Sequence, residues 1–192
     1  MDKINIGFCI TGSFCTFERI LKEIEKIVDG GSNVTPIISD NVKNLDTRFF
    51  NASDFANKLK SITGKEIIDS IVKAEPIGPK NLFDVLVVAP ATGNTIAKLS
   101  RAITDTPVTM AVKSHLRNGK PVVIAISTND GLGSTAENFG KILTQKNLYF
   151  VPFGQDDFIK KPRSLVSDMT KIIPTIECAL RGEQIQPLII TY

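Results

Sequence analysis

The fold of this chain is indicated most clearly by the stretch Val85-Leu-Val-Val-Ala-Pro-Ala-Thr-Gly-Asn-Thr-Ile-Ala-Lys-Leu99. Its first five residues are apolar and mostly β-branched, which predicts a buried strand that ends at Ala89. The small residues at 90–95 predict a turn, and a helix is predicted after them. A strand, a loop of hydroxyl and amide groups, and a helix form a corner suited to a flat, polar-edged ligand at the carboxyl end of a parallel sheet.

Similar apolar runs alternate with amphipathic segments along the rest of the chain. We predict strands at 4–11, 34–39, 83–89, 121–127 and 148–152. We predict helices at 14–28, 52–62, 64–73, 93–102, 107–118, 136–146 and 164–181. This alternation indicates one α/β domain over residues 1–192, with a three-layer, Rossmann-like or flavodoxin-like parallel sheet covered by helices on both faces. The strand order stays open between those two windings.

Composition limits the classes of function. The chain has 192 residues, of which 42% are hydrophobic and 22% charged, and its net charge is +3. These values are ordinary for a soluble globular protein. Because Lys and Arg do not cluster, nucleic acid is not an expected partner. Neither a signal peptide nor a membrane span is apparent, so we expect a cytoplasmic protein.

Cysteine and histidine are scarce. Cys9, Cys15 and Cys178 form an odd, sparse set, which predicts no disulfide framework. We expect Cys9 and Cys178 to be buried, and we favour a packing role for Cys15 over an acidified thiol near a helix start. His115 is the only histidine, and we expect it on a helix surface or at an interface. Metal-ligand spacing is absent, so no metal site is expected.

Four predicted strands end in short polar side chains. The segments that follow them are Thr11-Gly12-Ser13-Phe14, Ser39-Asp40-Asn41, residues 90–95 and Ser127-Thr128-Asn129-Asp130-Gly131. Gly12 permits a tight turn, and Ser13 with the free N–H groups of the next helix forms a candidate anion site. A plain helix cap is the alternative for Ser13. Such loops bind a polar cofactor or a phosphate but supply no acid–base chemistry by themselves.

Several charged residues near these loops have more than one open role. Asp40 is a candidate partner for a ribose hydroxyl, with Ser39 an alternative donor to a phosphate. Asp105 and Asp130 are able either to orient a ligand or to cap a helix. We interpret the charged segment 156–163 as a solvated loop.

Three segments resemble the flavoprotein superfamily of homo-oligomeric flavin-containing decarboxylases. They are Gly12-Ser13-Phe14, Ala89-Pro-Ala-Thr-Gly-Asn-Thr-Ile-Ala-Lys-Leu99 and Thr104-Asp105-Thr106-Pro107. The superfamily includes phosphopantothenoylcysteine decarboxylase, the lantibiotic peptidyl-cysteine decarboxylases and the flavin prenyltransferases. The resemblance covers essentially the whole chain. It implies FMN as the cofactor, bound at the subunit interfaces of a homo-oligomer, either a trimer or a multiple of trimers.

The resemblance also implies roles for individual residues. The FMN phosphate would be held by Gly12, Ser13 and Phe14 with help from Ser39. The isoalloxazine would be lined by Pro90, Ala91, Thr92 and Asn94, with Thr95 also in the cofactor site. Ser127, Thr128 and Asn129 would lie where the decarboxylases carry the Met-Asn pair of their substrate clamp.

The chain differs from the decarboxylases at the residues that those enzymes use for catalysis and for holding the substrate. Those enzymes use a histidine after the second strand, whereas residues 40–80 here contain none. Thr92-Gly93 replaces their Ser-Ala, and Thr128 stands where their clamp has Met. Decarboxylation of cysteine-derived substrates therefore becomes the alternative rather than the main interpretation.

Within the superfamily the chain is most similar to an oxidoreductase branch from spore-forming bacteria. In that branch a small dihydro-dicarboxylate is oxidised to an aromatic diacid, together with a partner subunit that resembles a nicotinamide-binding Rossmann protein. The resemblance implies an oxidoreductase subunit in the mother-cell cytoplasm, and a non-catalytic binding subunit is a further alternative. No catalytic residue is identified. Candidates to attract the dicarboxylate, unranked, are Lys98, Arg101, Lys113 and Arg117.

Overall fold

The computed structural model describes residues 3–192 and is built around one sheet. The strands of this range are β1 Asn5–Ile10, β2 Asn33–Ile38, β3 Val85–Ala91, β4 Val122–Thr128, β5 Leu148–Phe150, β6 Phe153–Gly154 and β7 Leu165–Ser167. The helices are α1 Phe17–Asp29, α2 Asp40–Asn44, α3 Ala52–Thr63, α4 Ile71–Ala74, α5 Gly93–Ser100, α6 Pro107–Leu116, α7 Thr135–Leu143 and α8 Ile172–Leu180. Turns of 3₁₀ helix lie at Phe14–Thr16, Glu75–Ile77 and Met169–Lys171.

Five of the strands form a parallel sheet in the order β2-β1-β3-β4-β5. This is the flavodoxin-like order of doubly wound sheets, which decides between the two windings that the sequence leaves open. The direction of winding reverses between β1 and β3. The connections after these two strands therefore leave on opposite faces, and a crevice opens at their carboxyl ends.

Two short antiparallel strands extend the sheet beyond the predicted fold. β7 pairs with the carboxyl end of β4, where Ser127 lies opposite Val166, and β6 pairs with β7. The sheet is therefore mixed rather than wholly parallel. The connection from β6 to β7 carries residues 156–163 to the carboxyl edge of the sheet, beside the crevice.

Separate apolar cores cover the two faces of the sheet. In β1, Ile6, Phe8 and Ile10 pack on the face that also receives the apolar sides of α1, α3 and α8. Cys9, between them, points to the opposite core with residues of α5, α6 and α7. Successive side chains of a strand alternate between faces, so a strand covered on both sides is apolar throughout. The prediction of helices on both faces is confirmed.

The predicted helix over 164–181 is wrong in its first half. Residues Leu165–Ser167 form β7, and the side chain of Asp168 then accepts a hydrogen bond from the Thr170 N–H at 3.0 Å. The α-helix begins only at Ile172. All three residues of β7 are buried, and a short apolar run of this kind cannot be distinguished from a buried helix by periodicity alone.

The predicted helix over 64–73 is also largely wrong. Gly64 ends α3 with φ of +62°, in the left-handed region that favours glycine. Ile68 then makes an isolated parallel bridge with Ile37 of β2, and helix α4 starts only at Ile71. Pairing with the sheet edge overrides the local helical pattern here.

His115 is buried, which corrects its expected place on a surface or interface. Only 1% of the residue is exposed, and Nε2 lies 3.1 Å from the carbonyl oxygen of Pro121. Because Pro121 directly precedes β4, the imidazole sits at the amino end of the sheet, opposite the crevice. Burial is the main cause that lowers the pKa of His115, to about 4, against the opposing effect of the Pro121 hydrogen bond.

We expect His115 to make the protein less stable as the pH falls from about 6.5 to about 4. In this window an unfolded histidine, with a pKa of about 6.5, binds a proton that the folded His115 does not. The unfolded state therefore gains protons first, and stability decreases with falling pH. Thermal unfolding near pH 7 and near pH 5 should show a larger loss for the wild type than for His115→Gln, and equal losses would contradict this role of His115.

The described helices include none that is long and apolar enough to cross a membrane. Within the same residues, no group of three or more His, Cys, Asp or Glu side chains is arranged to hold a metal ion.

Candidate functional site

Two clefts of about 380 Å³ each meet at the carboxyl ends of β1 and β3. The β2-side cleft is lined by Thr11, Gly12, Ser39, Asp40, Asn41, Thr92, Asn94, Thr95, Lys98, Asp105 and Thr106. The β4-side cleft is lined by Gly12, Ser13, Cys15, Thr16, Arg19, Thr92, Gly93, Ser127, Thr128, Asn129, Asp156, Lys161 and Val166. Gly12 and Thr92 belong to both linings, so the two clefts adjoin at the corner between β3 and α5.

Thr11, directly after β1, fastens this corner to the sheet. Its Oγ1 donates to the carbonyl oxygen of Pro90 at 2.6 Å and accepts from the Thr92 N–H at 3.1 Å. Thr11 is 2% exposed, so these hydrogen bonds lie in a low-dielectric interior. Thr92 in turn caps α5, with its Oγ1 accepting from the Thr95 N–H at 3.3 Å. The position of Thr92 in both clefts is thus fixed by contact between β1 and β3.

The structure divides the predicted residues of the corner into two groups. Thr92, Asn94 and Thr95 line the site. Pro90 and Ala91 belong to β3, which is buried along its whole length, and Ala91 packs in the core with α6. The hydroxyl and amide groups therefore face the clefts, and the two apolar residues support them from beneath.

Ser39 places a buried hydroxyl without a partner at the β2-side cleft. Its Oγ is shielded from solvent and makes no hydrogen bond within the part of the chain that the structure describes. The residue precedes α2, yet its side chain does not cap that helix. A buried polar group left unpaired costs about 1–3 kcal/mol. A ligand that hydrogen-bonds to Ser39 would remove this cost.

The remaining charges of the β2-side cleft lie on its rim. Lys98 Nζ is 2.8 Å from Asp105 Oδ1, and this hydrogen bond lowers the pKa of Asp105 below its usual value. Water weakens an ion pair with an exposed carboxylate, so Lys98 remains available to an anionic ligand at this rim. Asp105 therefore pairs with a lysine, whereas Asp40 is an exposed acceptor at the same rim.

Ser13 and Ser127 join the ends of β1 and β4 across the β4-side cleft. Their Oγ atoms are 2.8 Å apart, and Ser13 makes no helix-capping hydrogen bond. Ser13 occupies the N-cap position of the following 3₁₀ turn, as the alternative has it, but its side chain does not cap that turn. Two hydroxyls carry two hydrogens and their mutual bond uses one, so one donor remains for a ligand. The Phe14 ring packs 5.2 Å from Phe17 at the edge of the core and lines neither cleft.

Asp130 organises the loop after β4. Its carboxylate accepts hydrogen bonds from Thr128 at 2.6 Å, from Ser134 at 2.8 Å and from Thr135 at 2.9 Å. These bonds, the one from Thr128 foremost, lower the pKa of Asp130. A Cβ at Gly93 would lie 2.7 Å from the Thr135 hydroxyl, so only glycine fits against this network. The role of Asp130 is therefore to hold the Thr128 side chain at the cleft.

The interpretation of 156–163 as a solvated loop missed part of the site. Asp156 and Lys161 line the β4-side cleft together with Arg19 of α1. Asp156 accepts hydrogen bonds from the buried Ser164 hydroxyl and, at 3.1 Å, from Lys161 Nζ. Although partial burial raises it, the pKa of Asp156 is lowered overall by these two donors. Pairing of β6 with β7 brings residues 156–163 to the cleft, and the incorrect prediction of a helix over 164–181 excludes that pairing.

Cys15 is exposed in the β4-side cleft, 4.0 Å from the Ser13 hydroxyl, so the favoured packing role is wrong. Cys9 is buried as expected, and burial raises the pKa of its thiol. Cys178 is partly exposed on α8, so the expectation that it is buried is wrong. Cys15 is thus the thiol that reports on ligands in the cleft.

Of the four basic residues considered for a dicarboxylate, Lys98 is the one that lines the site. Arg101 pairs with Glu137 at 3.1 Å, and together with Lys113 it borders a groove between α5, α6 and α7. Arg117 packs near Gly78, at the opposite end of α6 from its start at Pro107. The cations of the β4-side cleft are Arg19 and Lys161, which no sequence motif singles out.

The family model for Flavoprotein matches residues 1–171. The chain belongs to the flavoprotein family. This flavoprotein is 49% identical over 185 residues to the B subunit of dipicolinate synthase from Bacillus subtilis (strain 168), a match that covers 96% of this chain and 92% of that protein. It is also 32% identical over 121 residues to the coenzyme A biosynthesis bifunctional protein CoaBC of Thermococcus kodakarensis, covering 62% of this chain and 28% of that protein. The family inferred from the motifs is therefore confirmed.

Solved structures of flavoproteins share the fold. The crystal structure of the B subunit of dipicolinate synthase from Bacillus halodurans C matches with a TM-score of 0.90 and 49% identity, covering 98% of this chain and 96% of that one. The FMN-dependent cysteine decarboxylase SpaF matches with a TM-score of 0.69 and 17% identity, over 92% of this chain and 97% of that one. At that identity the second match shows the fold alone.

Proposed function

We propose that this flavoprotein is the B subunit of a dipicolinate synthase and that, together with an A subunit, it oxidises dihydrodipicolinate to dipicolinate. The observation that carries the proposal is the 49% identity to the Bacillus subtilis protein over 96% of the chain. The TM-score of 0.90 to the Bacillus halodurans protein supports it, because the whole fold is shared along with the sequence.

FMN is the cofactor in this proposal, with its phosphate in the β2-side cleft and its ring at the corner between β3 and α5. The residues present suit such a ligand, because Ser39 offers an unpaired buried hydroxyl and Lys98 an ammonium group at the same cleft. We assign the phosphate to the β2-side cleft, between Gly12 and Ser39, and ribityl hydroxyls to acceptors such as Asp40. Thr92, Asn94 and Thr95 face the same space and border the flavin ring.

A flavin held at this site would supply a hydride acceptor for oxidation of the dihydro ring, and the accompanying proton would pass to water. The residues of this chain bind the substrate and orient it. The free hydroxyl hydrogen of the Ser13–Ser127 pair and the amide of Asn129 are donors toward the substrate. Asp130 and Asp156 have lowered pKa values, so at neutral pH both are ionised and carry no proton to donate.

Decarboxylation of cysteine-derived substrates is the competing function, since cysteine decarboxylases share the fold. His115, the one histidine of the chain, is buried at the amino end of the sheet and cannot reach the clefts. We therefore expect no carbon dioxide to be released from phosphopantothenoylcysteine or from a peptide that ends in cysteine. Release at a catalytic rate would overturn the oxidoreductase assignment.

A reconstituted assay tests the proposed function. We expect dipicolinate to form rapidly when the A subunit, this chain and FMN are combined. Omitting FMN or this chain is expected to lower the rate by at least about tenfold, because orientation of cofactor and substrate is lost. Full activity in the absence of this chain would show that this chain takes no part in catalysis. The proposal includes a homo-oligomer built from trimers, which light scattering of the purified protein measures independently.

A further inference from the structure

Arg19 and Lys161 bring two positive charges to the β4-side cleft. Both side chains line it, together with Ser13, Ser127 and Asn129. Arg19 makes no ion pair with any residue that the structure describes. Its guanidinium is therefore available to a ligand, and a planar guanidinium binds a carboxylate through two parallel hydrogen bonds.

Lys161 is held at the cleft by its neighbours. Its ammonium lies 3.1 Å from Asp156 Oδ2, and Asp156 is fixed in turn by the buried hydroxyl of Ser164. An ammonium group has three donors, so two remain after the bond to Asp156. With both cations and the ionised Asp156 counted, the charged groups of the cleft sum to one positive charge, which favours an anionic ligand.

We propose that Arg19 and Lys161 bind the two carboxylates of a small ring dicarboxylate, one each, and so determine substrate specificity; the inference rests on the proposed function. The cleft, of about 380 Å³, is within the range that holds small ligands. The spare hydroxyl hydrogen of the Ser13–Ser127 pair supplies a further donor in the same cleft. In this arrangement the β2-side cleft, with Ser39 and Lys98, is left to the cofactor phosphate.

Calorimetric titration with dipicolinate tests the assignment, using picolinate, which has one carboxylate, as the matched ligand. Buffers are kept free of divalent cations because dipicolinate chelates them. Flavin-loaded wild-type protein should bind dipicolinate at least about tenfold more tightly than picolinate. Arg19→Met and Lys161→Met should each weaken dipicolinate binding by about tenfold, and the double variant should lose the preference for two carboxylates.

Lys22→Met and Lys160→Met are the controls, because both lysines are exposed and neither lines the cleft. They should bind dipicolinate like the wild type. FMN affinity should be unchanged in all four single variants. If dipicolinate binding survives in the double variant, or if FMN binding is lost in parallel with it, the assignment is wrong and the two cations serve the cofactor or the surface.

Protection of Cys15 gives a second readout that needs no turnover. In a Cys178→Ser background, dipicolinate should slow alkylation of Cys15 in the wild-type cleft and should do so far less in the Arg19 and Lys161 variants. The titration and the alkylation are run with and without FMN. Absence of FMN binding would contradict the proposed cofactor, whereas absence of protection and of dipicolinate binding in the flavin-loaded protein would contradict this inference alone.

Discussion

Replacing Ser39 with alanine is expected to weaken FMN binding by about 10- to 100-fold without destabilising the flavin-free protein. The Ser39 hydroxyl is buried and unpaired in the protein alone, so its removal breaks no hydrogen bond within the described residues. Its loss instead removes a donor to the phosphate, and hydrogen bonds to charged groups contribute about 1.5–3 kcal/mol. Quenching of flavin fluorescence measures the affinity, and thermal unfolding measures the stability.

Ser32→Ala is the matched control for this variant. Ser32 carries a second buried, unpaired hydroxyl, and it precedes β2 whereas Ser39 follows the same strand. The two substitutions therefore remove the same group at opposite ends of one strand. Both should leave the flavin-free protein as stable as the wild type or slightly more stable, and only Ser39→Ala should affect FMN. Equal effects on FMN would show that Ser39 has no special relation to the cofactor.

The second large effect is expected for Thr11→Val, which should destabilise the protein by about 2–4 kcal/mol. Valine retains the shape of threonine but leaves the Pro90 carbonyl and the Thr92 N–H without their partner. Each unpaired buried group costs about 1–3 kcal/mol. For a chain of this length the midpoint of thermal unfolding should fall by roughly 5–15 °C. FMN binding should weaken as well, because Thr92 is no longer fixed to the sheet.

Thr175→Val separates this effect from the loss of any buried threonine hydroxyl. Thr175 is fully buried on α8, and its hydroxyl donates to the Lys171 carbonyl four residues earlier at 2.6 Å. That carbonyl keeps the backbone partner provided by the helix, so we expect a loss of about 1 kcal/mol or less and no change in FMN affinity. If Thr175→Val destabilises the protein as much as Thr11→Val does, the hydrogen bonds of Thr11 at the corner have no special role.

The central fold could be predicted because its strands are buried on both faces. Val85–Ala91 is apolar throughout, and its neighbours β1 and β4 have the same character. Such strands stand out from helices with one apolar side. The strand order could not be predicted, since it depends on pairing between distant segments. The short strand β7 cannot be told from a helix by its sequence, because three buried residues carry too little periodicity to decide.

The sequence predicts those site residues that lie at the carboxyl ends of parallel strands. Ser39, Thr92 and Ser127 each lie at or next to the carboxyl end of a parallel strand, and the sheet brings those ends together. Arg19 and Lys161 could not be placed in this way. Arg19 lies in the first turn of α1, and Lys161 lies in a connection whose course depends on the antiparallel pairing of β6 with β7.

Titration of FMN into flavin-free protein, followed by quenching of flavin fluorescence, is the decisive experiment for the cofactor site when wild type, Ser39→Ala and Ser32→Ala are compared side by side. We expect saturation at one FMN per chain, with Ser39→Ala about 10- to 100-fold weaker and Ser32→Ala equal to wild type. Failure of the wild type to bind FMN, or equal affinity of Ser39→Ala and wild type, would contradict a flavin site built around Ser39.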